Sequence, residues 1–159
     1  MIAVKKNTFN KISLFVILLL FPFAQGFDKE ESQTETSDKE EIERAIIGYI
    51  ENFFLNDYEK MEVFLHDRLS KRGINADGSL NVDVSKQDLK TMMSNKWAMP
   101  LTMQKNTVSK IFIDKQHVAT AVLDTGYPNT RWKEYINLAK IDGKWVLLDI
   151  FWCFENIEV

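Results

Sequence analysis

With one cysteine, Cys153, among 159 residues the chain can form no internal disulfide, so its fold must rest on its hydrophobic core. Histidine is nearly as scarce: His66 and His117 lie far apart, and with Cys153 they offer no metal-ligand spacing. No glycine-rich loop is placed to cradle a phosphate, and no serine sits in a nucleophile-elbow pattern. Nucleotide-enzyme and serine-hydrolase readings fall away with them, and neither a metal nor a cofactor is expected. A long hydrophobic run is also missing. The apolar stretch from Ile12 to Phe23 has 12 residues, where a bilayer span needs about 20.

That short run is flanked by Lys5, Lys6 and Lys11 on one side and by Ala24-Gln25-Gly26 on the other, with no acid in between. This is the order of a secretory signal peptide, so residues 1–26 are read as a signal cleaved after Gly26, leaving no membrane span. The protein is then exported, to a periplasm or to the medium. Cleavage leaves 17 Lys+Arg against 23 Asp+Glu, and this acidic balance excludes nucleic acid and anionic membrane surfaces as partners.

Residues 27–37 are polar and acid-rich and read as a disordered tether, with one domain over 38–159. Ser37 with Glu40 forms a capping-box pattern, and Ile42, Ala45, Ile46, Tyr49, Ile50, Phe53 and Phe54 recur at helical spacing, predicting a helix over about 38–55. Tyr58, Met61, Phe64 and Leu65 predict a second helix ending before a turn at Arg72-Gly73. Asp77-Gly78 predicts a turn, 80–84 a short strand, and Ser85 the N-cap of a third helix. Four strand-like runs follow, at about 102–113, 117–125, 131–141 and 144–153, with tight links at Lys115-Gln116 and Asp142-Gly143. Helices first and an antiparallel sheet afterwards make an α+β fold, the helices covering one face of a curved sheet.

Three segments taken together carry a resemblance: residues 49–57 (YIENFFLND), 66–73 (HDRLSKRG) and 134–145 (EYINLAKIDGKW). In this combination and order the chain resembles the putative lumazine-binding family of the nuclear transport factor 2-like (SnoaL-like) superfamily, over about residues 40–153. The resemblance implies a cone-shaped fold: three N-terminal helices packed on a strongly curved, mainly antiparallel sheet, with a pocket at the open end and frequent dimerisation. It selects no reaction, because that fold serves isomerases, cyclases, dehydratases and pure binders alike.

A two-residue loop at Asp142-Gly143 sets Lys140 opposite Trp145, Leu138 opposite Leu147, Ile136 opposite Asp149, Glu134 opposite Phe151 and Trp132 opposite Cys153. One face then holds Asp149 and Glu134 among aromatic residues, where burial would disfavour ionisation and suit a carboxyl to proton transfer. The other face is too apolar for one in water, which predicts a homodimer through the sheet. His66 is a second proton-transfer candidate, or a cap on the second helix. Tyr49, Phe53, Phe64, Trp97, Trp132, Glu134, Asp149 and Phe151 are the candidates to line a pocket. Three readings follow. The leading one is an exported domain that binds a small apolar or aromatic molecule. The alternatives are a cofactor-free isomerase, cyclase or dehydratase using Asp149 and His66, and a structural dimerising module whose pocket is filled by its own side chains.

Overall fold

The computed structural model of the chain describes residues 27–94 and 97–155. The proposed signal peptide, residues 1–26, lies outside the described residues. Helix α1 spans Phe27–Leu55, so the stretch 27–37, expected as a tether, is helical and Ser37 is an interior residue rather than a cap. The stretch holds no proline or glycine, and its three Glu and one Lys are compatible with a helix. Extending an existing helix also needs no new nucleus. Ile42, Ala45, Ile46, Tyr49, Ile50 and Phe54 are all buried, as their spacing predicts. The helix ends where Asn56 takes a left-handed conformation (φ 61°) and the Asp57 N–H returns to the Asn52 carbonyl.

Asp38 fastens this helix to the sheet. Its carboxylate accepts hydrogen bonds from Lys140 Nζ at 2.5 Å and Trp145 Nε1 at 3.0 Å. Burial alone would push the carboxyl up, but those two hydrogen bonds and the Lys140 charge outweigh it and hold the group below its ordinary value. A carboxyl depressed in the folded state contributes stability above its unfolded value of about 4, and that contribution is lost as the pH falls through the folded value. Denaturant titrations at about pH 6 and about pH 3 should therefore show a smaller acid loss for Asp38→Asn than for the parent.

Helix α2 is a single short element, Tyr58–Glu62, capped by Asp57. The second helix was expected to run on toward residue 72, but Leu65–Ile74 is instead strand β1. Leu65 and Leu69 are both buried four residues apart, which mimics a helix. A strand gives the same spacing, because alternate residues share a face and positions four apart therefore do so too. Arg72-Gly73 is accordingly strand, not turn, and the chain reverses at 75–79, with Gly78 at φ 82°. The strand expected over 80–84 shrinks to β2, Val84–Ser85. Ser85 then caps helix α3 (Lys86–Met93) through a reciprocal capping box with Asp88.

Strands β3 (Thr107–Asp114), β4 (Val118–Tyr127), β5 (Thr130–Ile141) and β6 (Lys144–Glu155) form an antiparallel meander. Lys115, Gln116, Asp142 and Gly143 all have positive φ, as two-residue primed turns require. The sheet order is β2-β1-β6-β5-β4-β3, with β1 parallel to β6. Helices packed against one face of this mostly antiparallel sheet give the expected α+β class. No helix among the described residues is long and apolar enough to cross a membrane.

The register of β5 against β6 matters most for the site. Lys140 pairs with Trp145 and Leu138 with Leu147 as expected, but the next pair is Asn137 with Asp149. Leu148 is thus an extra residue on β6, and beyond it the alternation is inverted relative to the simple hairpin. Ile136 faces Ile150 instead of Asp149, Glu134 faces Trp152 instead of Phe151, and Trp132 faces Phe154 instead of Cys153. The bulge keeps Glu134 on the core face with Ile136 and Ile150, all fully buried, and carries Asp149 to the outer face.

Candidate functional site

At the open end of the sheet lies a cavity of about 450 Å³. The end of α1 supplies Phe53 and Phe54, β5 supplies Trp132, β6 supplies Trp152 and Phe154, and Tyr127 closes one side. Leu89 and Met92 of α3, with Trp97 and Met99 after it, form the opposite wall. The rings make a continuous chain: Phe54 to Trp132 at 5.7 Å, Trp132 to Tyr127 at 6.1 Å and to Phe154 at 6.4 Å, and Phe154 to Trp152 at 5.2 Å between centroids. Such tilted and edge contacts hold each ring against its neighbours.

Gly73 makes room for this wall. A Cβ there would stand 2.3 Å from the Trp152 ring and 2.4 Å from its carbonyl oxygen. Gly73→Ala should therefore shift Trp152 and cost about 1–3 kcal/mol, measurable by denaturant unfolding.

Beneath the rings is one polar cluster. Lys71, on β1 opposite Ile150, lines the cavity with its side chain 11% exposed. Its ammonium donates to Tyr49 Oη at 2.6 Å and to Glu134 Oε1 at 2.5 Å. Trp132 Nε1 donates to the same Glu134 oxygen at 3.1 Å. Glu134 Oε2 is buried and has no hydrogen-bond partner among the described residues. Burial first, and then the neighbouring Glu134 carboxylate, pushes the Tyr49 phenol well above its ordinary value and keeps it protonated. Lys71 Nζ also lies 5.4 Å from the Tyr49 ring centroid and 5.5 Å from that of Phe53, within cation–π range.

The structure divides the sequence candidates into three groups. Phe53, Trp97 and Trp132 line the cavity. Tyr49 and Glu134 lie one layer below it, joined to it through Lys71 and Trp132. Phe64, Phe151, Asp149 and His66 are elsewhere. The Phe64 ring packs where a Cβ on Gly48 would otherwise stand, 2.4 Å away. Phe151 pairs with Tyr135, beyond the bulge and on the outer face. Asp149 accepts from Arg72 at 3.0 Å and Asn137 at 3.4 Å on that same face. His66 Nδ1 accepts the Arg68 N–H at 3.1 Å near the start of β1. Asp149 and His66, the two residues named for catalysis, are thus outside the cavity, the first because of the bulge and the second because β1 replaces the expected helix end. Lys71 is the residue that sequence reasoning missed. Its signal was a lysine two positions before Gly73 in a stretch that reads as helix end and turn. Among the described residues, no three His, Cys, Asp or Glu side chains stand together as a metal site.

The comparisons with known proteins agree with this architecture. A family model described as "Putative lumazine-binding" matches residues 37–152. A nuclear transport factor 2-like protein of unknown function from Shewanella baltica superposes with a TM-score of 0.67 at 21% identity, over 77% of this chain and 97% of that one. A ketosteroid isomerase-like protein from Erwinia carotovora atroseptica gives 0.57 at 14% identity, over 74% and 95% of the two chains. A structure named as a putative scytalone dehydratase, from Novosphingobium aromaticivorans, gives 0.57 at 14% identity, over 78% and 88%. At these identities the likeness is one of fold. None of the curated proteins matches the chain.

Proposed function

Because the chain belongs to the putative lumazine-binding family of nuclear transport factor 2-like proteins, we propose that it is an exported domain that binds a small, flat, mainly apolar or aromatic molecule in the aromatic cavity. The observation that carries this reading is the cavity itself. Its volume, about 450 Å³, falls in the range of about 300–1,000 Å³ typical of small-molecule sites, and its described lining is mainly apolar and aromatic with one charged group, Lys71. A module whose pocket is filled by its own side chains would leave less space. The isomerase, cyclase or dehydratase reading rested on Asp149 and His66, neither of which lines the cavity.

Titration with the neutral fluorophore N-phenylnaphthylamine tests the proposal. One saturable site is expected, weakened at least about tenfold in Asn81→Trp, where a bulky ring enters from the cavity wall. Non-saturable uptake, or equal binding by both proteins, would count against the cavity as the site.

Export and dimerisation belong to the same proposal. The signal-peptide pattern supports a mature chain that begins at Phe27, to be checked by N-terminal sequencing of protein recovered outside the cytoplasm. On the outer sheet face Phe112, Val118 and Tyr135 are exposed, which supports a homodimer through that face. Sedimentation across a wide concentration range should show a dimer, and a monomer throughout would sink this part.

A further inference from the structure

The geometry points to the chemistry of the ligand: a neutral planar carbonyl compound whose oxygen is held by the ammonium of Lys71. This rests on the cavity being a ligand site. Among the described residues that line the cavity Lys71 alone is charged, so the strongest directional contact they offer a ligand comes from its Nζ. An ammonium carries three N–H donors and no acceptor. Two acceptors face it among the described residues, Tyr49 Oη and Glu134 Oε1, and the third N–H is left for an acceptor on the cavity side. The Lys71 side chain is only 11% exposed, so little water can serve that N–H, and a ligand oxygen would satisfy it.

Charge decides between a neutral and an anionic acceptor. Glu134, with no exposed side-chain surface, already compensates Lys71. An anion in the cavity would leave a second, uncompensated negative charge beside a carboxylate that has one oxygen without a partner among the described residues, and burying such a charge is unfavourable. Chemistry of the donor set also decides between a carbonyl and a hydroxyl. A hydroxyl brings a proton that needs an acceptor, whereas Tyr49 Oη and Glu134 Oε1 already face Lys71 and Glu134 Oε2, though without a partner among the described residues, is buried with no exposed surface for a ligand to reach. A carbonyl only accepts, so it leaves nothing unpaired. The remaining surface, above all Phe53 and Trp132, suits a flat ring system.

Three probes with the same ring and the same substitution position, titrated calorimetrically, test the neutral carbonyl against an apolar group and against an anion: acetylnaphthalene, ethylnaphthalene and naphthoate. The parent protein should bind the ketone about tenfold more tightly than the hydrocarbon, and naphthoate no more tightly than the ketone. In Lys71→Met combined with Glu134→Gln, whose paired removal preserves the fold and leaves Trp132 Nε1 an acceptor, the ketone preference should fall to within about twofold. Circular dichroism checks that this variant is folded; if it is not, Lys71→Arg takes its place and should keep a ketone preference while changing its size. Equal binding of ketone and hydrocarbon by the parent, a preference for naphthoate, or a ketone preference that survives in the double variant would overturn the inference while leaving the cavity as a binding site. Failure of all three probes to bind would overturn the cavity reading itself, and this inference with it.

Discussion

Lys71→Met alone should lower the stability of the domain by about 3–5 kcal/mol, whereas the same change made together with Glu134→Gln should recover most of that loss. The reasoning turns on what is left behind. Glu134 is fully buried, and the Lys71 ammonium is the charge that compensates it. Removing the lysine strands a carboxylate whose second oxygen already has no partner among the described residues. Removing both charges leaves a neutral amide that still accepts from Trp132 Nε1 and an apolar chain of similar length, and such paired replacements are often near neutral. Denaturant unfolding of the two single variants and the double variant closes a thermodynamic cycle. An additive result, with the double variant as unstable as the sum of its parts, would mean that the pair does not act as a unit.

Trp132→Ala should be comparably severe, about 3–5 kcal/mol, and should also weaken ligand binding by more than about tenfold. Trp132 is the hub of the cavity wall: its ring touches Phe54, Tyr127 and Phe154, and its N–H reaches Glu134. Alanine removes the packing and the hydrogen bond together. Trp132→Phe largely separates them, since it keeps an aromatic ring in the chain, though a smaller one, and loses the donor. Its stability cost should be about 1 kcal/mol, because Glu134 Oε1 retains Lys71. Unfolding measurements paired with probe titration read both effects, and equal costs for the two substitutions would show that the hydrogen bond, not the ring, carries the role.

Much of the fold was legible because its signals are local. The pairs Lys115-Gln116 and Asp142-Gly143 take the positive φ values of primed turns, and Ser85 with Asp88 forms the reciprocal cap that opens α3. The buried stripe from Ile42 to Phe54 reads directly as one helix face. What escaped depends on contacts distant in sequence. β1 exists because β6 offers a parallel edge, and the four-residue spacing of Leu65 and Leu69 fits one face of a strand as well as one face of a helix. The extra residue at Leu148 left no mark either, since β6 is apolar on both sides of it and either register would bury hydrophobic groups. That one residue decides which acid is inside. Asp149 goes to the outer face with Arg72, and Glu134 stays beneath the cavity with Lys71. Tyr49, Trp132 and Glu134 were therefore legible as members of a site, but the lysine that joins them was not.

The most direct test of the central claim, that the aromatic cavity holds a small organic molecule, is native mass spectrometry of the protein purified under mild conditions from its own host. The account predicts one small, neutral molecule bound per chain, lost on unfolding and absent from Asn81→Trp purified in the same way. A parent protein and an Asn81→Trp variant that carry the same bound mass, or a parent that carries none and takes up none of the aromatic probes, would contradict it.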